Sequence, residues 1–399
     1  MQLHKIIRLA LLFIIGSSTY LSAADRYWIA TATSFWNTTA SWSTTSGGTS
    51  GASVPGFGDI AIFNSAKVGS CTINAAVIVA GFDVRTGYSG TISQGANTIT
   101  IGTSNAIFTA GTFTGGSVAI TCNGTFTLQG TSFTSTSDTL HMKSTVTNTS
   151  GTFTHNLGVV KFNATTAQTI PSWTFQNIVT TGTRAANSIT LASGTVTISG
   201  TFTNTATFTS GNFINTGNTV TFNGTNSQKV PAIPYNHLTI SGSYGVKSVE
   251  FASSGTVSIA GTFTNTASFA GGGFIMTSST VDFKGGSQNI PAFTFNNLTC
   301  SGSADKTATG AVVVNGVLNI ATSRILDMST NALTGTISST SGTGTLRTQN
   351  TGTPIPTGES WSFTVEYNGG TQSVLAGTYV NLTCSGSGDK TATGAFVVN

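Results

Sequence analysis

The sequence predicts an all-β chain folded as a parallel β-helix, a solenoid of coils of about 20 residues with an aromatic N-terminal cap. Three observations predict this class. Apolar residues recur every 20 positions, polar and apolar residues alternate within each unit, and a segment of about 60 residues is repeated along the chain. No helical periodicity of useful length follows the first two dozen residues.

The 20-residue recurrence is clearest in the phenylalanines Phe113, Phe133 and Phe153, which lie 20 positions apart. Independent apolar series with the same spacing point to stacked coils in which equivalent side chains form a continuous core. Two such series accompany the phenylalanines: Ile120, Leu140 and Val160, and Ala106, Phe126 and Val146.

Within each unit the apolar residues alternate with threonines, as in Thr195-Val196-Thr197-Ile198. That alternation indicates short strands with one buried face and one solvent-exposed face. A string of β-sandwiches would also be rich in strands, but it does not require the same side chain at a fixed interval. From about residue 65 the spacing predicts roughly 17 coils, a rod on the order of 80 Å long.

A longer repeat is superimposed on the coils. The segment Val160–Pro171 recurs as Val220–Pro231 and as Val281–Pro291. We interpret the interval of about 60 residues as three coils. A fourth copy runs from Phe363 to Cys384, with Leu375 in the place of the proline.

Residues 1–24 have the features of a secretory signal peptide. Lys5 and Arg8 precede a short apolar stretch, and small residues up to Ala24 offer a cleavage site. The apolar stretch is shorter than the roughly 20 residues that span a bilayer. The sequence therefore predicts a secreted or cell-surface protein with no transmembrane span in the mature chain.

The composition limits the possible partners. Charged residues make up 7% of the chain, and removal of Lys5 and Arg8 lowers the formal net charge from +4 to +2. Such a balance provides no electrostatic attraction to nucleic acid. Apolar residues reach 38% and are regularly spaced, which argues against a disordered chain.

Residues 25–64 differ from the repeats. They contain Trp28, Trp36 and Trp42 and end in Pro55-Gly-Phe-Gly-Asp-Ile-Ala-Ile-Phe63. This segment resembles the opening segment of bacterial extracellular β-strand-repeat proteins, which include autotransporter-associated and adhesin-like surface proteins. The resemblance implies surface exposure and a β-helix in residues 65–399; it implies no particular chemistry.

The three tryptophans have two possible roles. The first coil of a β-helix exposes unpaired backbone groups and the end of the core, and bulky aromatic rings are suited to cover them. The alternative is a platform on which sugar rings stack. We favour the cap, because strand alternation would scatter exposed rings.

Four cysteines remain after the signal peptide: Cys71, Cys122, Cys300 and Cys384. Each shares strand phase with apolar neighbours, so we expect small buried hydrophobic residues. Cys300 and Cys384 would lie about four coils apart, roughly 19 Å. A disulfide needs Cα atoms within about 7 Å of each other. This pair should therefore not form a disulfide.

No pattern in the sequence indicates catalysis, a metal site or a cofactor. The eleven acidic residues are spread thinly, and Glu250, Asp282 and Asp305 fit one stacked column poorly. A polysaccharide hydrolase needs carboxyl groups within about 5–10 Å of each other. We expect His141 and His155 to be solvated surface residues. The pairs Asp305-Lys306 and Asp389-Lys390 are expected in exposed turns.

Rows of outward-facing threonines are the strongest predicted surface feature. Stacked threonines can form a flat face that orders water, as in an ice-binding β-helix. On several coils Ser, Asn and Lys stand among the threonines. We therefore favour the interpretation that these threonines are ordinary outward-facing strand residues.

We therefore predict a non-enzymatic structural or adhesin-like surface protein, with glycans or cell-surface and matrix components as partners. The alternatives are a carbohydrate-binding region of a larger β-helix protein, a polysaccharide-degrading enzyme and an ice-binding protein. The repeat stops within a coil at Asn399, so we expect a longer natural protein.

Overall fold

The computed structural model describes residues 24–399, which form a parallel β-solenoid of about 16 turns with coils of about 21 residues. The predicted fold class is therefore confirmed. The predicted signal peptide lies outside the described residues except for Ala24, which begins the first strand. No helix in residues 24–399 is long and apolar enough to cross a membrane.

Each coil contributes one short strand to each of three walls, which we call faces 1, 2 and 3 in chain order. Parallel pairing joins each strand to the equivalent strand of the next coil, so the rod grows by about 4.8 Å a coil. The exception is an antiparallel pairing of Trp28 with Trp42 at the N-terminal end, beside a short 3-10 helix, Thr39–Ser41.

The strands of face 1 are Ala24–Trp28, Trp42–Ser43, Asp59–Phe63, Gly81–Val84, Ala106–Phe108, Phe126–Leu128, Val146–Asn148, Gln168–Ile170, Ile189–Leu191, Phe213–Asn215, Pro234–Tyr235, Thr256–Ile259, Thr280–Phe283, Asn297–Cys300, Val317–Ile320, Ser339–Ser341 and Phe396–Val398. Two long strands cover both face 1 and face 2, Ser360–Tyr367 and Gly377–Cys384.

The strands of face 2 are Ser34–Phe35, Cys71–Thr72, Thr91–Ser93, Thr112–Thr114, Ser132–Thr134, Thr152–Thr154, Thr174–Phe175, Thr195–Ile198, Thr219–Phe222, His237–Ile240, Phe263–Asn265, Gln288–Ile290, Lys306–Ala308, Ile325–Asp327 and Thr345–Thr348. Two further strands form a corner between faces 2 and 3, Ser243–Gly245 and Ser268–Phe269.

The strands of face 3 are Val77–Val79, Ile99–Ile101, Ile120–Cys122, Thr139–Met142, Val159–Phe162, Asn177–Thr183, Phe202–Thr207, Gln228–Val230, Ser248–Phe251, Gly273–Ile275, Phe293–Phe295, Val312–Val314, Leu333–Thr334, Gln372–Val374 and Lys390–Ala392.

One apolar core fills the rod from end to end. Phe113 pairs directly with Phe133, and Phe133 with Phe153, on face 2. The rings of Phe113 and Phe133 stack with centroids 4.6 Å apart. On face 3 the same direct register joins Ile120, Leu140 and Val160. The 20-residue spacing therefore corresponds to one coil in this part of the chain.

The faces are not continuous sheets. On two of the three faces a new sheet begins around each repeated Gln-x-Ile/Val-Pro segment, one strand before the proline and one after it. Proline has no backbone N–H, so it cannot donate to a sheet ladder. The third face runs through each break and holds the rod together.

The repeat of about 60 residues does not equal three coils, and this prediction is wrong. The strand that contains Val160 lies on face 3, whereas Val220 lies on face 2 and Val281 on face 1. One repeat therefore covers two and two-thirds coils. Coil length varies, since Val160 pairs with a residue 18 positions further on and Ile178 with one 24 further on. The average spacing of the apolar residues does not show how many residues each corner between two faces contains.

All four cysteines are free thiols. Cys71, Cys122 and Cys300 are buried in the core, and burial raises the pKa of Cys122 and Cys300 to about 12. Cys384 is exposed, contrary to the expectation of a buried side chain. It lies on Gly377–Cys384, in the last coil of the described residues.

Candidate functional site

A buried glutamine stands in the first strand of the sheet that begins just before each break. Gln228 Nε2 donates hydrogen bonds to the carbonyls of Ile198 (2.8 Å) and Gly200 (2.7 Å) on the preceding coil. Its Oε1 accepts a hydrogen bond from Gly224 N at 2.9 Å. The side-chain amide therefore donates to carbonyls that would be paired with backbone N–H groups if the sheet continued across this break.

The same arrangement recurs in the other copies. Each glutamine donates from Nε2 to two carbonyls of the preceding coil and accepts at Oε1 from a backbone N–H three or four residues before it. The members of this set are Gln168, Gln288 and Gln372.

A donor from the next coil completes each of these corners. Lys306 is buried, and its Nζ donates to the carbonyls of Gly285 (3.0 Å), Gly286 (2.7 Å) and Ala304 (2.7 Å). Lys390 repeats this geometry. The expectation that Lys306 and Lys390 lie in exposed turns is therefore wrong, because both ammonium groups replace backbone donors at a corner.

The other two corners use different donors. Arg184 is buried and donates to Gln168 Oε1 at 2.8 Å, while Tyr244 O–H donates to Gln228 Oε1. Burial lowers the pKa of Arg184 and of Lys306. Apart from Arg184 Nε, which is buried without a partner, the donor groups are occupied by hydrogen bonds within the wall, so these corners organise the fold.

Clefts open where one sheet ends and the next begins. One of them has a volume of about 650 Å³ and lies on face 3, between Phe202–Thr207 and the strand that contains Lys229. Its lining combines hydroxyl and amide groups with Lys229, whose Nζ lies 2.8 Å from Glu250 Oε1. A cleft of about 570 Å³ lies on face 1 beside Phe213–Asn215.

One group of charges is stacked on face 2. Asp327, Arg347 and Glu366 pair in register on successive coils, with Arg347 3.9 Å from Asp327 and 2.8 Å from Glu366. Burial opposes ionisation of Glu366, but hydrogen bonds from Arg347 and Ser385 outweigh it and lower the pKa of Glu366. Glu366 is therefore held as a carboxylate, which is unsuited to act as a general acid.

The other acids considered above are not brought together. Glu250 pairs with Lys229, Asp282 accepts from Ser301 Oγ at 2.7 Å, and Asp305 accepts from Ile325 N at 3.0 Å. Burial raises the pKa of Asp282 against the opposing hydrogen bond from Ser301. Each carboxylate has its own local partner, so these three acids form no converging pair.

His141 and His155 lie in separate places. His141 pairs with Lys161 on face 3, and its pKa is lowered by burial and by Lys161 and Lys143. His155 Nδ1 accepts a hydrogen bond from Leu157 N at 3.0 Å. In residues 24–399 no three His, Cys, Asp or Glu side chains are grouped as metal ligands.

The three tryptophans of the N-terminal segment are packed together. Trp28 and Trp42 are fully buried, and Trp36 is 2% exposed. Trp42 meets Trp28 and Trp36 edge to face, and Trp36 stacks on Phe82 with centroids 5.8 Å apart. Trp28 Nε1 donates to Gly69 O at 2.7 Å. No indole face is free for a sugar in this arrangement.

Together these features define a parallel β-solenoid with three-strand coils, sheet breaks at repeated glutamine-proline segments and an aromatic N-terminal end. Comparison with models of protein families, with curated proteins and with solved structures found no match.

The glutamine corners were missed by sequence reasoning, although a signal for them exists. Gln168, Gln228 and Gln288 stand at the same position of the repeat, in the inward phase of a strand. A polar side chain repeated at an inward position indicates a buried hydrogen-bonding role. The donors Arg184, Tyr244 and Lys306 share no residue type, so no single pattern marks all the corners, although Lys306 and Lys390 stand in equivalent segments.

Proposed function

We propose that this protein is a non-enzymatic rod of the bacterial cell surface or extracellular matrix, with a structural or adhesive role. The observation that supports it best is the single core that runs through about 16 stacked turns, roughly 75 Å of solenoid. Such a rod holds surface groups at fixed spacings, which suits repeated weak contacts with a partner. The signal-like N-terminus and the Trp-rich segment also favour this role.

The test is a comparison of intact and lysed cells of the natural host with antibody against the purified chain. Surface display predicts that the antibody labels intact cells and that added protease removes the signal. A host strain lacking the gene should lose adhesion or matrix cohesion, and re-expression should restore it. Labelling only after lysis would contradict the proposal.

A carbohydrate-binding role is the second candidate, and the clefts at the sheet breaks favour it. The cleft beside Phe202–Thr207 places Thr201, Asn204 and Lys229 around a space large enough for a sugar unit. Glycan-array binding by the full chain that is lost in Lys229→Ala, with unchanged melting, would support this function. Thr127→Ala, an outward substitution on face 1, is the control.

A further inference from the structure

Face 2 carries two columns of hydroxyl side chains over nine successive coils. On each coil the strand reads hydroxyl, apolar, hydroxyl, with the apolar residue directed into the core; one position is a histidine. The outward pairs are Thr91/Ser93, Thr112/Thr114, Ser132/Thr134, Thr152/Thr154, Ser172/Thr174, Thr195/Thr197, Thr219/Thr221, His237/Thr239 and Thr262/Thr264.

Register aligns these side chains from coil to coil. In one sheet Thr174, Thr197, Thr221, Thr239 and Thr264 pair in sequence, without a bulge. The preceding sheet aligns the earlier pairs in the same way. The apolar ladder beneath also continues across the boundary between the two sheets: the rings of Phe153 and Trp173 stack 4.2 Å apart.

The two columns contain no Asp, Glu, Lys or Arg. Charged residues stand at outward positions on face 3, where His141 pairs with Lys161 and Lys229 with Glu250. On face 2 they appear only beyond the nine coils, in the stack of Asp327, Arg347 and Glu366. Within the nine coils the interruption is His237, whose Nδ1 lies 2.8 Å from Thr262 Oγ1. The column from Thr174 to Thr264 is threonine throughout.

The geometry fixes the hydroxyls on a two-dimensional lattice. Coils are about 4.8 Å apart, and side chains two positions apart on a strand are about 6.6 Å apart. Both spacings are close to those between oxygen atoms on the prism faces of ice. Threonine is β-branched, which restricts χ1 and leaves each hydroxyl few orientations. Water bridging such groups is ordered with little further loss of entropy.

From this lattice we propose that face 2 binds ice, with the hydroxyl columns ordering a layer of water that joins the crystal surface. Charged side chains would disturb that layer, and the columns contain none. The array of nine coils is roughly 40 Å long at the strand spacing, so many weak contacts act together on one flat crystal. This activity does not depend on where the protein is displayed.

The test uses the full purified chain and ice itself as the probe. We expect thermal hysteresis in a nanolitre osmometer and enrichment of fluorescently labelled chain in a slowly growing ice hemisphere. Thr221→Lys, at the centre of the unbroken column, should abolish both effects. A lysine there projects from the wall into the water layer and removes one hydroxyl of the lattice.

The matched control is Thr190→Lys, the same substitution at an outward strand position of face 1. It should retain hysteresis and ice enrichment, and both variants should melt like the parent chain. Absence of both effects in the parent chain would overturn the proposal. Equal loss in both variants, or binding to crystalline chitin or cellulose with none to ice, would also overturn it. Surface display is tested separately by antibody labelling, so the two proposals fail independently.

Discussion

Gln228 makes three hydrogen bonds with backbone groups and accepts a fourth from Tyr244. Leucine has a similar volume but offers neither donor nor acceptor. We predict that Gln228→Leu lowers the free energy of unfolding by about 2–4 kcal/mol, because a buried polar group left unpaired costs about 1–3 kcal/mol. Chemical denaturation followed by circular dichroism measures this loss.

The control for this substitution is Gln129→Leu, because Gln129 is exposed. It should change stability by no more than about 0.5 kcal/mol. Equal effects of the two substitutions would show that the Gln228 amide is not required at the sheet break.

Glu366 makes stability depend on pH in a defined direction. Its folded-state pKa is lowered below the ordinary 4.5. The group therefore stabilises the fold above about pH 4.5, and this contribution is lost as the pH falls through the folded-state pKa. We predict that Glu366→Gln costs about 1 kcal/mol or less at pH 7 and flattens the decline of stability towards pH 3.

Melting temperatures measured from pH 7 to pH 3 check this prediction. Glu359→Gln is the control, since Glu359 makes no ion pair within residues 24–399. An unchanged pH profile in Glu366→Gln would contradict the role assigned to the Arg347 ion pair.

The Trp-rich segment, residues 25–64, forms the N-terminal end of the solenoid, where its indole rings pack against the end of the core. The strand Ala24–Trp28 pairs with Asp59–Phe63, which in turn pairs with Gly81–Val84. Burial of a tryptophan side chain contributes strongly to stability, and truncation to alanine costs about 3–5 kcal/mol. We predict that Trp36→Ala loosens this end of the rod, seen as faster hydrogen exchange in Asp59–Phe63.

Phe57→Ala is the matched control, because Phe57 lies in the same segment and is 80% exposed. Its hydrogen exchange and melting should follow the parent chain. The cap would be contradicted by unchanged exchange in Trp36→Ala together with loss of binding to a glycan.

The strand elements could be predicted from the sequence because alternation and stacking act on neighbouring residues. Phe113 and Phe133 occupy the same position of consecutive coils, so their identity reveals the register. The sheet breaks could not be placed in this way, since they depend on how Gln228 and Pro231 meet the preceding coil. The burial of Lys306 could not be predicted for the same reason, because its three carbonyl partners come from two different coils.

Because one repeat covers two and two-thirds coils, equivalent segments of successive repeats lie on different faces of the rod, one face apart at each step. The prolines Pro171, Pro231 and Pro291 therefore follow strands on faces 1, 3 and 2 in turn. Breaks distributed around the rod leave each coil with at least one unbroken face. Three breaks on one face would instead open a continuous seam along it.

This rotation predicts the result of removing one repeat. Deletion of residues 221–281 places Asp282 directly after Val220, where its equivalent Thr221 stood, so the repeat stays in phase across the junction. In a solenoid, stability is approximately a sum over coils and their interfaces. We expect a folded rod shortened by about 13 Å. The strand that contains Asn319 should move from face 1 to face 2.

Spin labels at Thr190 and Asn319, after Cys384→Ser removes the exposed thiol, measure this movement by their separation. In the parent chain both positions lie on face 1, and in the deletion variant they should lie on different faces. Deletion of residues 221–260 is the control. It removes two nominal 20-residue units and joins non-equivalent positions, so it should disrupt the solenoid. Labels that remain on one face after the 61-residue deletion would restore the interpretation of three whole coils.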